Sequence, residues 1–167
     1  YVPMSPDALS DFVNPLEIVR AGYRCVYDPE ARSYERAADN FDKEFRRKVR
    51  IVNRAWRALF RLRSLLNPFR FGFFSIQLIS HKLLRWLVPV FLLGLVVLNS
   101  SILDRRGISS LTFAFQLTFY GLALAGHLLR NRESMPRMLS VPYDFCLVNL
   151  ASALGILNVF RGKTYTT

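Results

Sequence analysis

Apolar positions recur along this chain in two different patterns. From Trp86 onward they form unbroken runs. Trp86 to Leu103 is 18 residues without a charge, Gly107 to Leu129 is 23 with His127 counted neutral, and Leu139 to Phe160 is 22 interrupted only by Asp144. At a rise of about 1.5 Å per residue, such runs approach or exceed a hydrocarbon core of about 30 Å. Three of them, separated by DRR and RNRESMPRM, predict transmembrane helices at about 86–103, 108–129 and 141–160, and so an integral membrane protein. Upstream the pattern changes. Phe41, Phe45, Val49, Val52, Trp56, Leu59 and Phe60 recur mostly three or four apart, which lays one apolar stripe along a helix.

Nearer the start the pattern is shorter and punctuated. Asn14-Pro15 reads as a helix start, Asn as cap and Pro in the first turn, with PLEIVRA running to a left-handed stop at Gly22. Tyr23-Arg24-Cys25-Val26-Tyr27 alternates and is rich in β-formers, so it predicts a short strand ended by Asp28-Pro29. The expected order is helix, strand, connection, basic helix (within 41–85), three spans (86–160) and a tail (161–167). There is no internal repeat.

Charge sharpens the picture of residues 41–85. The net charge is +11 over 167 residues, and between Phe45 and Arg70 there are nine Lys/Arg and no Asp/Glu. A helix with one apolar stripe and a basic opposite face, placed just before a span, is expected to lie in the membrane interface. There its apolar side meets acyl chains and its arginines meet lipid phosphates, each contact worth about 1 kcal/mol. Nucleic acid also rewards such arrays, but three spans directly downstream favour membrane lipids, and no nucleic-acid partner is expected. The same basic block places residues 46–85 on the cytoplasmic side, with 104–106 external, 130–137 internal and the 161–167 tail external. Trp86 and Tyr143, at span ends, suit the headgroup layer. The small pairs Gly121/Ala125 and Ala151/Gly155 would let the second and third spans approach closely. His127 reads as structural, and Asp144 as a weak candidate for pairing or for lining a ligand path. Two cysteines, Cys25 and Cys146, are too few for a disulfide or zinc framework.

The run SDFVNPLEIVRAGYRCVYDPEARSYER resembles the end of the catalytic domain of inverting, membrane-bound family 2 glycosyltransferases, the group that includes cellulose, chitin and hyaluronan synthases. The matching residues are Asp11, Gly22-Tyr23-Arg24, Tyr27, Pro29-Glu30-Ala31 and Glu35. The family's Q-x-x-R-W position falls on Arg47-Lys48-Val49-Arg50-Ile51, which keeps the arginine without Gln or Trp, and Ser10 replaces the first acid of the usual pair. These departures point away from processive polymer synthesis and fit a transferase adding one sugar or a divergent subgroup.

The resemblance implies a mainly α membrane protein carrying the C-terminal end of an α/β (GT-A) catalytic domain in residues 1–40, then the interface helix and three spans. It implies transfer of a sugar from a nucleotide-sugar donor to a glycan or lipid-linked acceptor with inversion, in surface polysaccharide or glycolipid synthesis. Asp11 takes the role of general base, since inverting transfer needs a carboxylate to accept the attacking hydroxyl's proton. Arg50 would contact phosphate or acceptor, and Glu35 is a weaker site candidate. A divalent metal, Mg or Mn, would be held by residues upstream of Tyr1, because no D-x-D occurs in this sequence. The chain is thus expected to be a fragment, inactive alone, of a protein of the cytoplasmic membrane with its catalytic side cytoplasmic. A small non-enzymatic membrane adaptor or transporter subunit with a basic docking helix is the alternative.

Overall fold

In a computed structural model of the chain, the residues described are 9–34, 41–102, 107–130 and 135–165. They form α1 (Ser10–Arg20), α2 (Phe41–Arg61), α3 (Pro68–Phe71), α4 (Phe73–Leu78), α5 (Leu84–Ser101), α6 (Ile108–Leu129) and α7 (Arg137–Phe160). A 3-10 turn at Arg63–Leu66 precedes α3, and a π-helical stretch at Ile79–Leu83 joins α4 to α5. Three helices are long and apolar enough to cross a membrane: Phe73–Ser101, Ile108–Leu129 and Arg137–Phe160. The protein is mainly α, and no strand occurs among the described residues. The chain divides into two compact units, Tyr1–Arg85 with Leu154–Thr167, and Trp86–Ala153.

The first unit is organised around α2. Its stripe residues Val49, Val52, Trp56 and Leu59 are buried, together with Asn53, Ala55 and Ala58. Each Val or Leu removed from water contributes about 1.5–3 kcal/mol. The last turns of α7 supply much of the cover. Gly155 lies so close to α2 that a Cβ there would meet the Val49 carbonyl oxygen and the Val52 Cβ, both at 2.9 Å. Phe60 stacks edge-on against Trp56 at 5.7 Å and against Phe160 at 6.5 Å between ring centroids. Trp56 was expected to face acyl chains; it is only 8% exposed, with Phe60 edge-on against it. Phe60 remains half exposed.

Beyond Phe160 the chain turns back along α2. Gly162 takes φ +71°, and the amides of Gly162 and Lys163 bond back to the Val159 and Asn158 carbonyls, which closes the helix end. Asn53, fully buried, donates its side-chain amide to the Gly155 carbonyl at 3.2 Å and the Lys163 carbonyl at 3.3 Å. Arg54 Nε donates to the Tyr165 carbonyl at 2.9 Å. Alternating crossings would set this tail across the membrane from α2. The structure lays it directly on α2.

Helix α1 begins at Ser10, four residues before the expected Asn14, with Pro15 inside it. Burying Phe12 and Leu16, four apart on one face, carries the helix through the proline. Its end matches the expectation. Gly22 at φ +89° lets its own amide and that of Tyr23 bond to the Val19 and Ile18 carbonyls. The Asn-Pro start signal is used instead at Asn67-Pro68, where the Asn67 side chain accepts from the Phe69 amide at 3.0 Å. Tyr23 to Tyr27, expected as a strand, is irregular, and Tyr23, Val26 and Tyr27 are 73%, 77% and 85% exposed. A strand exists only by pairing, and no described segment pairs with this one.

In the second unit, Asn99 of α5 donates to Gln116 of α6 at 2.9 Å. Phe119 and Phe145 meet edge-on at 5.5 Å, which joins α6 to α7. The close approach of those two helices is at Gly126, where a Cβ would meet the Leu139 carbonyl oxygen at 2.7 Å and the Tyr143 Cβ at 2.9 Å. The expected small pairs are used otherwise. Nothing lies within 4 Å of a Cβ at Gly121, and Gly155 serves α2. Tyr143, expected in the headgroup layer, is buried beside His127, with ring centroids 5.8 Å apart; Trp86 is buried too.

Candidate functional site

Asp11 stands in the first turn of α1 with an exposed side chain. No hydrogen bond or ion pair engages its carboxylate among the described residues. A carboxylate so placed is open to a hydroxyl-bearing ligand and lies at the favourable end of the helix dipole. The next residue anchors it: Phe12 is buried, α1 packs on α2, and Lys82 Nζ sits 5.8 Å from the Phe12 ring centroid. Asp11 thus projects from a helix held at two places. Glu35, the weaker candidate, lies outside the described residues.

Arg50 is on the exposed side of α2. Lys43, Arg46, Arg47 and Arg50 fall at steps of three, one and three, which puts all four on one face. They line an open groove of about 770 Å³ whose other wall is the end of α7 and Tyr165. Arg47 and Lys48 are engaged by Glu44, at 3.1 Å and 2.8 Å. The hydrogen bond from Lys48, ahead of the nearby positive charges of Lys48 and Arg47, holds the Glu44 carboxyl below the usual carboxylate range despite some burial. Arg46 Nε reaches the Asp42 carbonyl at 3.4 Å. Arg50 and Lys43 make no such bond among the described residues, which leaves their charge available to a ligand.

Asp144 is exposed on α7, and no described residue pairs with it. His127 lies beside Arg130, whose guanidinium is 3.2 Å from its Nδ1. Among the described residues no group of three or more His, Cys, Asp or Glu comes together to hold a metal ion.

Two features escaped the sequence reading. Asn53 is a polar residue inside the apolar stripe of α2, and that interruption was the available signal for a buried hydrogen-bonding role. The Lys163 and Tyr165 carbonyls that meet α2 are backbone groups, so no side-chain pattern announces them. No protein-family model, curated protein or solved structure matches this chain.

Proposed function

We propose that this chain is the C-terminal part of a membrane-embedded, inverting glycosyltransferase that moves a sugar from a nucleotide-sugar to a glycan or lipid-linked acceptor, in surface polysaccharide or glycolipid synthesis. One observation carries the reading: the ordered succession Asp11, Gly22-Tyr23-Arg24, Tyr27, Pro29-Glu30-Ala31, Arg50 and then three long apolar helices. Two placements support it. Asp11 is an exposed carboxylate on an anchored helix, and Arg50 is an exposed, unengaged cation.

In this reading Asp11 accepts the proton of the acceptor hydroxyl as that oxygen attacks the anomeric carbon. The nucleoside diphosphate leaves from the opposite face, which inverts the configuration. Arg50 stabilises phosphate charge or orients the acceptor. Nucleotide-binding residues and the Mg or Mn ion belong to the part of the enzyme before Tyr1. The first unit then works at the cytoplasmic face of the cytoplasmic membrane, within reach of a lipid-linked acceptor.

The test uses the complete enzyme in isolated membranes, with nucleoside diphosphate release measured across a panel of nucleotide-sugars. Asp11→Asn keeps size and polarity but cannot take up the proton, and loss of a general base costs about 10²–10⁴-fold in rate. That loss, with expression and donor binding intact, is the expected outcome. Turnover near normal at saturating donor and acceptor removes Asp11 as base. If no nucleotide-sugar is turned over by the unmodified enzyme, the adaptor reading takes its place.

A further inference from the structure

The groove on α2 has two chemically distinct parts. Lys43, Arg46, Arg47 and Arg50 form a cationic rim with no carboxylate among the lining residues, while Phe45, Val49 and Leu154 give it an apolar floor. Asn158 and Tyr165 complete the wall. Asn158 donates its side-chain amide to the Tyr165 hydroxyl oxygen at 2.9 Å, so the hydroxyl's own proton is left to donate elsewhere. Such a groove offers several positive charges and one neutral donor to an anion, beside a surface that only an apolar chain would cover. A free phosphate satisfies the first part and wastes the second. An anionic amphiphile satisfies both.

We propose that this groove binds the headgroup of an anionic glycerophospholipid, with the phosphate against Arg50, Lys43 and the Tyr165 hydroxyl and the first acyl carbons on Phe45, Val49 and Leu154. The site shares Arg50 with the transferase reading but rests on the groove's own lining and not on that reading. The chain carries three helices fit for a bilayer, so a lipid is the amphiphile always at hand. The lipid would also pin the tail onto α2, since Tyr165 and Asn158 belong to one wall and the cations to the other.

The experiment follows the thermal unfolding midpoint of the whole 167-residue chain in neutral detergent while phosphatidylglycerol, phosphatidylcholine or soluble glycerol 1-phosphate is added. Phosphatidylglycerol should raise the midpoint in a saturable way, and the other two should not at equal concentration. The double variant Lys43→Gln/Arg50→Gln should need on the order of tenfold more phosphatidylglycerol for half the effect. Arg32→Gln/Arg63→Gln, which removes the same charge away from the groove, should behave like the parent. Neither Lys43 nor Arg50 has a partner among the described residues, so the lipid-free midpoint of that variant should match the control's. A lowered lipid-free midpoint would contradict the open placement of these side chains. An equal response to glycerol 1-phosphate would make the groove a free-phosphate site, and equal losses in both double variants would reduce it to diffuse charge. Any of these three results overturns the proposal.

Discussion

Helix α2 and helix α5 are similar in length and solve opposite solvation problems. In α2 the apolar stripe points inward and Arg46, Arg50 and Arg61 are exposed, as in a helix built for water or the headgroup layer. In α5 the outward side chains are themselves apolar: Val90, Phe91, Leu93, Val97 and Leu98 are 55–69% exposed. The most apolar stretches of the three long helices are only 6%, 11% and 28% buried within the protein. Exposing that much apolar surface to water would be unfavourable at about 25 cal/mol per Å²; exposed to lipid it costs nothing. Hence the same secondary structure serves two solvents, and the direction of the apolar stripe tells which one.

Substitutions on the two surfaces should therefore have opposite consequences. The largest effect is expected for Leu93→Lys, on the exposed face of α5. A lysine at the centre of a membrane helix costs about 2.5–3.5 kcal/mol, whereas an exposed site in water tolerates such a change to within about 0.5 kcal/mol. A glycosylation-based insertion assay should show a marked fall in membrane integration. Unchanged integration would mean that this surface does not face lipid.

Next in size is Gly155→Leu. The added atoms would enter the Val49 and Val52 contacts, and overpacking costs about 1–3 kcal/mol. Gly121→Leu, where nothing lies near, should change little. Melting curves of the two variants in detergent separate the cases, and equal midpoints would remove the close contact between α7 and α2.

The smallest effect concerns Glu44. Its carboxyl is held below its ordinary range in the folded protein, so the ion pairs with Lys48 and Arg47 contribute above the unfolded carboxylate pKa and fade as pH falls through the lowered one. Glu44→Gln should cost a few tenths of a kcal/mol per pair at neutral pH and nothing in acid. A difference that grows as pH falls would reverse the assignment.

What the sequence revealed depended on range. Long apolar runs are local, and the helices they predicted are present; α6 falls at 108–129 as expected. The stripe on α2 and the Gly22 stop are local too. The Tyr23–Tyr27 strand was misread because a strand is defined by a partner that local alternation does not supply. Asn14-Pro15 was misread because its cap signal was outweighed by the burial of Phe12 and Leu16. The tail on α2 was invisible because it depends on Asn53 meeting carbonyls 102 and 110 residues away. Of the candidate site, the sequence supplied the residue types. Whether Asp11 is exposed and Arg50 unengaged are facts of packing.

The contrast between the two units rests on the first being one compact body. Hydrogen bonds of 3.3 Å and 2.9 Å from α2 to the Lys163 and Tyr165 carbonyls cannot cross a bilayer, so these segments share a face, and at least one of the three apolar helices between them lies against lipid without crossing. Cys25, free and exposed, is a natural probe for the first unit. With Cys146→Ser to silence the other thiol and Lys163→Cys added to a Cys25→Ser background, a membrane-impermeant maleimide can be applied to vesicles of known orientation. The account predicts that Cys25 and the thiol at 163 label from the same side; labelling from opposite sides would contradict it.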